Sequence, residues 1–241
     1  MGMASKEVLD GMKDMDTATL FNAVVAAMGG SQGGFELEKK GGMPVNYTDN
    51  TLRCLLPELG IAAGYAVTME VTTNDPDSSA LKWDEYYDML AKTPGPKFAI
   101  VKDVDSKPGR GASFGDGMAA THKLLGVTGA AVDGSVRDLM GIKKVGLPMW
   151  GKGLVPGHGI FNLISVNRPI VACGLLVKPG DFIVADMDGI TKVPLEMDLA
   201  AVLKEALKIR RKEGAYHEQF KKPGATKASI DAWWKANKDK F

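Results

Sequence analysis

The stretch from Gly115 to Leu139 constrains this chain most, because glycines mark each point where the backbone has to turn. It reads Gly-Asp-Gly, then Met118 to Leu125 at helical spacing, then Gly126, then an apolar run from Val127 to Val132. Gly115 to Gly117 permit tight backbone, two helical turns follow, Gly126 ends them, and the apolar run predicts a strand. Polar side chains gather where that strand stops. Asp116, Arg137 and Asp138 would then lie together among glycines, a set suited to a small anion and a metal. Asp133 and Asp188, each followed by glycine, read as turn formers, and Asp133 is close enough in sequence to orient Arg137.

The rest of the chain parses into short elements. Asp16 caps a predicted amphipathic helix through Met28 that stops at Gly29-Gly30, and 31–48 reads as a glycine-rich loop. Short strands are expected through Val71, a polar connection over 72–79, a helix over Trp83 to Leu90, and strands over Phe98 to Val104 and Leu147 to Trp150. Ile170 to Val177 reads as one strand, and Phe182 to Ala185 and Ile190 to Val193 as a hairpin about Asp188-Gly189. Leu199, Val202, Leu203, Ala206 and Leu207 share a face of a helix that starts near Glu196 or Asp198 and is expected to end near Gly214. The lysine-rich tail from Lys221 carries Trp233-Trp234, expected to dock on a neighbouring surface.

Thirty basic against 29 acidic side chains leave a formal charge of +1, so no electrostatic footprint points to nucleic acid or an anionic membrane. Cys54 and Cys173 have no metal-ligand spacing and suggest reduced thiols. No window approaches the roughly 18 apolar residues of a membrane span, and Met1 to Met15 lack the apolar core of a secretory signal. The expected location is the cytoplasm.

The run from Gly126 to Asp138, GVTGAAVDGSVRD, resembles the signature of the RraA-like family. That family includes class II pyruvate aldolases acting on 4-hydroxy-4-methyl-2-oxoglutarate and 4-carboxy-4-hydroxy-2-oxoadipate, and a regulator of ribonuclease E activity. A second block, Val177-Lys178-Pro179-Gly180-Asp181 with Ala185 to Gly189 and Val193-Pro194, is similar to the family's other recurrent segment. The resemblance covers about Leu20 to Glu213. The segment 74–96 is longer and more polar than the family pattern, and the tail after Tyr216 has no counterpart. What the resemblance implies is an α/β fold of the β/β/α swivelling type, a single domain over 1–220 with an extension over 221–241, and a homotrimer or homohexamer with its site at a subunit boundary.

It also implies roles. A metal-dependent lyase has to stabilise the enolate of pyruvate, and Arg137, always charged and forked, would bind the carboxylate and keto oxygen of an oxo acid. Asp138 would hold a divalent cation, magnesium or manganese, which needs few protein ligands. Asp116 would orient a water on that ion, the base of the retro-aldol step. Backbone around Gly115, Gly117, Met118 and Ala119, opening a helix, would receive the substrate carboxylate. Glu213 matches an acid supplied from the adjacent subunit, and a carboxylate near a helix C-terminus is locally unfavourable.

Plainer readings stand beside these. Arg137-Asp138 alone would be a structural ion pair, Asp116 a helix cap and Glu213 a solvated charge, while His122, His158 and His217 read as packing or surface histidines. Three rival functions follow: an oxaloacetate decarboxylase, which forms the same enolate; a non-catalytic regulator of a ribonuclease complex; and a dinucleotide loop at Gly109, Gly111 and Gly115 with Asp133 as the ribose acid.

Overall fold

A computed structural model describes residues 3–30, 45–75 and 80–237. The predicted 31–48 loop lies outside them up to residue 44, as do residues 76–79 of the polar connection and 238–241 of the tail. Two helices open the chain, α1 (Lys6–Lys13) and α2 (Thr17–Ala27). The latter is capped as expected, the Asp16 carboxylate accepting from Thr19 N–H at 2.7 Å. After β1 (Arg53–Cys54), the expected short strands prove to be one long strand, β2 (Ala62–Thr72). Then come α3 (Trp83–Lys92), β3 (Lys97–Asp103), β4 (Ala112–Phe114), α4 (Asp116–Leu124), β5 (Val127–Val136) and α5 (Leu139–Val145). The chain continues with β6 (Met149–Leu154), β7 (Asn162–Val166), β8 (Ile170–Ala172), β9 (Leu175–Val177), β10 (Phe182–Asp186), β11 (Gly189–Val193), α6 (Leu199–Phe220) and α7 (Lys227–Asn237).

Nine strands form a mixed sheet in the order β1-β6-β5-β3-β2-β10-β11, with β4 beside β5 and β7 beside β2. The centre is parallel: β2, β3, β5 and β6 run the same way, and both faces are covered, so their sequences are nearly unbroken apolar runs. Alternation divides them. Ala99, Val101, Ala130 and Val132 pack with Tyr86, Leu90, Ala119 and Ile142 on the α3, α4 and α5 side, while Phe98, Ile100, Ala131 and Trp150 face the β8–β9 hairpin. A third cluster joins α1, α2 and α6 to Phe182, Val184 and Val193. The architecture is the expected α/β sandwich, a large sheet flanked by helices.

Several expectations change. Residues 170–177 form a hairpin, not one strand, because Cys173 and Gly174 adopt φ of 45° and 75°, a turn with two left-handed residues that matches strand twist. Asp133-Gly134 is no turn: both lie within β5. The last long helix runs through Gly214 to Phe220, so Glu213 sits inside a helix and the expected unfavourable C-terminal placement does not arise. An interior glycine costs about 1 kcal/mol. Aromatic packing beyond it offsets that cost, since Tyr216 meets Phe220, Trp233 and Trp234 at centroid distances of 4.9, 5.7 and 4.8 Å. The tryptophan pair thus docks on α6 of its own chain, with Lys212 over Trp234.

Candidate active site

Strand β5 delivers Arg137 and Asp138 at its carboxyl end, where ligands collect in parallel sheets. Backbone fixes them first: Arg137 N–H donates to the Phe114 carbonyl at 2.9 Å, and Asp138 adopts φ 55° and ψ 36° as the N-cap of α5. A left-handed aspartate is tolerated at a cost of order 1 kcal/mol or more and turns the carboxylate back toward the arginine. Arg137 Nε lies 3.2 Å from Asp138 Oδ2, with the side chains 34% and 43% exposed. At that exposure the pair adds about 1 kcal/mol or less to stability. Its consequence is aim: Nε is engaged, while both Nη groups carry no partner among the described residues.

Two glycines let the acids close in. A Cβ on Gly115 would stand 3.1 Å from Asp138 Oδ2 and 3.3 Å from Arg137 Nε, and one on Gly141 would stand 2.9 Å from Asp116 Cγ. Helix α4 thus starts against α5, and Lys123 donates to the Gly146 carbonyl at 2.9 Å where α5 ends. The two helices run side by side with both N-termini at the site. Gly115 caps α4 with no side-chain hydrogen bond, which leaves the first amides of the helix open. Ala119 drops out of the expected set, since its N–H donates to the Gly115 carbonyl at 3.0 Å. Asp116, Gly117 and Met118 supply the free donors, and the space over Gly117 is open.

The structure therefore brings Gly115, Asp116, Gly117, Met118, Arg137 and Asp138 together. It does not bring Glu213 there within one chain: α6 belongs to the cluster with α1, α2, β10 and β11. Asp133 is also elsewhere. It pairs with Lys152 and accepts from Cys173 N–H at 2.9 Å, which fixes the β8–β9 hairpin and leaves it no part in orienting Arg137. A dinucleotide reading loses its ribose acid with it, and β4 separates the glycines at 109 and 111 from the helix start. Cys173 is buried, and burial pushes its thiol up to about 12, which keeps it protonated.

The second sequence block is architectural. Asp181, fully buried, accepts from Lys178 and Leu195 N–H at 2.8 and 2.9 Å and from Lys192 Nζ at 3.1 Å, locking the ends of β9, β10 and β11. Asp186 accepts from Thr17 N–H and its hydroxyl at 2.8 Å each, seating α2 on the sheet. A cavity of about 730 Å³, lined by Tyr65, Phe182, Met197 and Leu199 among others, touches none of the site residues. Its lining is mostly apolar, with Asp198 the one carboxylate, and it holds no arginine.

Among the described residues no three His, Cys, Asp or Glu side chains gather as a metal cage. The donor set that exists, the open oxygen of Asp138 with Asp116 across Gly141, fits a hard divalent ion that keeps most of its water. Sequence reasoning missed the buried partners of the site: Tyr86 O–H donates to His122 Nε2 at 2.8 Å, and the only sequence signal was a polar side chain on an otherwise apolar helix face.

Taken together, these features define an α/β protein in which a guanidinium, two carboxylates and the open amides of a helix start converge at the carboxyl ends of its parallel strands. The chain belongs to the RraA-like family, whose model, described as Aldolase/RraA, matches residues 17–191. It is 28% identical over 172 residues to an uncharacterised protein of Methanocaldococcus jannaschii, spanning 71% of this chain and 78% of that one. It is 32% identical over 132 residues, 54% of this chain and 59% of the relative, to a Halalkalibacterium halodurans protein named "Putative 4-hydroxy-4-methyl-2-oxoglutarate aldolase". The crystal structure of Streptomyces coelicolor RraAS2, described as an unusual member of the RNase ES inhibitor RraA family, superposes with a TM-score of 0.66 at 21% identity, over 90% of this chain and 98% of that one. That likeness is one of fold.

Proposed function

We propose that this protein is a divalent-metal-dependent carbon–carbon lyase that cleaves a 4-hydroxy-2-oxo acid by retro-aldol reaction, or decarboxylates an oxo diacid, and releases pyruvate. The observation that carries the reading is Arg137, its Nη groups open, held by Asp138 beside the unpaired first amides of α4. The Halalkalibacterium relative, named for such an aldolase, supports it.

In this reading the amides of Gly117 and Met118 and the dipole of α4 hold the substrate carboxylate. Arg137 spans that carboxylate and the keto oxygen. A water aimed by Asp116 relays the proton of the C4 hydroxyl to that carboxylate, the hydroxyl oxygen closes a carbonyl on C4 as the C3–C4 bond breaks, and the bond's electron pair moves to C3–C2 as charge develops on the C2 oxygen. Arg137 stabilises that charge without reorganising, and protonation at C3 gives pyruvate. Asp138 would hold a divalent metal ion, which would supply Lewis-acid charge for the developing enolate. Glu213 of a neighbouring subunit would complete the site in a trimer or hexamer.

The test is pyruvate release, coupled to lactate dehydrogenase, over a panel of oxo acids with magnesium or manganese and with chelator. Arg137→Ala should lose roughly a hundredfold in kcat/KM, the equivalent of about 3 kcal/mol of oxyanion stabilisation. Asp138→Ala should lose the response to metal. Full turnover in Arg137→Ala refutes the assignment, and no turnover on any oxo acid leaves the regulator of a ribonuclease complex as the reading to pursue.

A further inference from the structure

The helix that carries the open amides is fastened from behind by a pair of side chains that neither the family match nor the reading above assigns to the site. His122 lies one turn beyond Met118 on α4, fully buried, with Nδ1 2.7 Å from the Met118 carbonyl and Nε2 2.8 Å from the Tyr86 hydroxyl. A carbonyl only accepts, so Nδ1 carries the hydrogen. In a neutral ring Nε2 is then the acceptor, and Tyr86 donates. Burial keeps the ring neutral, pushing its pKa down to about 4.

Its neighbours fix the ring in place. The Phe114 ring lies 4.9 Å from that of His122 and Tyr87 lies 5.8 Å away edge-on. Phe114 is the residue whose carbonyl holds Arg137 N–H, and Met118 is the residue whose amide faces the anion site. One imidazole thus packs on the Phe114 ring and bonds the Met118 carbonyl, and so contacts the two residues whose backbone borders the site. The groups around it that can titrate are Tyr86 and Tyr87 on α3, and burial holds both phenols protonated. Helix α3 comes from the 74–96 segment that departs from the family pattern. Its Trp83 also stacks on Phe161 at 4.9 Å, 12° from parallel, which ties the helix to the loop before β7.

We infer that His122, held in place by Tyr86, is a positioning residue: through the Met118 carbonyl it sets the first turn of α4, and so the distance from its open amides and Asp116 to Arg137. The α3 segment supplies the hydroxyl that holds the ring. The inference rests on the anion-site reading above and deepens it, with neither side chain touching substrate.

Two substitutions separate positioning from packing. His122→Asn keeps a donor where Nδ1 stands and loses the acceptor for Tyr86, whereas His122→Gln keeps an acceptor near Nε2 and loses the donor to Met118. Both lose the ring and should lower Tm alike. Oxalate, a planar dianion the size of the pyruvate enolate, is titrated calorimetrically into the full chain in magnesium buffer. Oxalate binding should weaken at least tenfold in His122→Gln and about threefold or less in His122→Asn, with the same ordering in kcat wherever pyruvate release is measurable. Equal oxalate affinities in the two variants overturn the positioning role. Wild-type protein that binds oxalate yet releases no pyruvate refutes the lyase and leaves the positioning intact, while wild type that binds no oxalate overturns both.

Discussion

Acid should unfold this protein in part through His122. The folded imidazole stays neutral down to about pH 4, against an ordinary value of 6.5, because burial penalises the charged ring more than the Met118 carbonyl favours it. An unfolded chain takes up the proton near pH 6.5, so between there and about pH 4 the unfolded state binds more protons and stability falls as pH falls. The contribution is intact above pH 6.5 and lost through pH 4. At about 1.4 kcal/mol per pH unit the full gap amounts to about 3 kcal/mol, of which about 2 kcal/mol should vanish between pH 7 and pH 5. Urea unfolding of wild type and His122→Asn across that range isolates the group. Carboxylates common to both proteins cancel in the difference, including Asp103, whose burial moves its pKa the opposite way. A stability difference that stays constant from pH 7 to pH 5 would refute the account of a buried neutral ring.

Two further outcomes follow from packing. Gly141→Ala places a methyl 2.7 Å from Asp116 Cβ, which rotation of the carboxylate cannot relieve, so the starts of α4 and α5 have to part; kcat should fall about tenfold or more with a lowered Tm and unchanged circular dichroism, and unchanged kinetics would show that Asp116 is not needed where it stands. Asp181→Ala strands Lys192 in the interior and removes acceptors from the amides of 178 and 195, which should cost about 3–5 kcal/mol in urea unfolding, and a loss under 1 kcal/mol would contradict a structural role for the second block.

Much of this was legible in residue order. Local signals are short-ranged, so the Asp16 cap, the break at Gly126, the apolar strand after it and the hairpin at Asp188-Gly189 could all be read along the chain. The joining of Asp116 to Arg137 and Asp138 was legible for a related reason: a helix followed by a parallel strand returns the chain to the same end of the sheet. Motif likeness supplied the family. What failed depended on partners distant in sequence. Asp133-Gly134 has the composition of a turn, yet strands on both sides and an ion pair with Lys152 keep it extended. Gly214 has the composition of a stop, yet aromatic packing carries α6 past it. Ala119 sits in the right helix, but its amide is spent on the first helical bond. The hydrogen bond between residues 86 and 122 has no local signature, because two side chains 36 positions apart meet only once α3 and α4 pack on the same face of the sheet. Propensity and pattern determined the elements and the chemistry at their ends; burial, which acts only on the assembled sheet, decided which polar groups are tied and which are left open to a ligand.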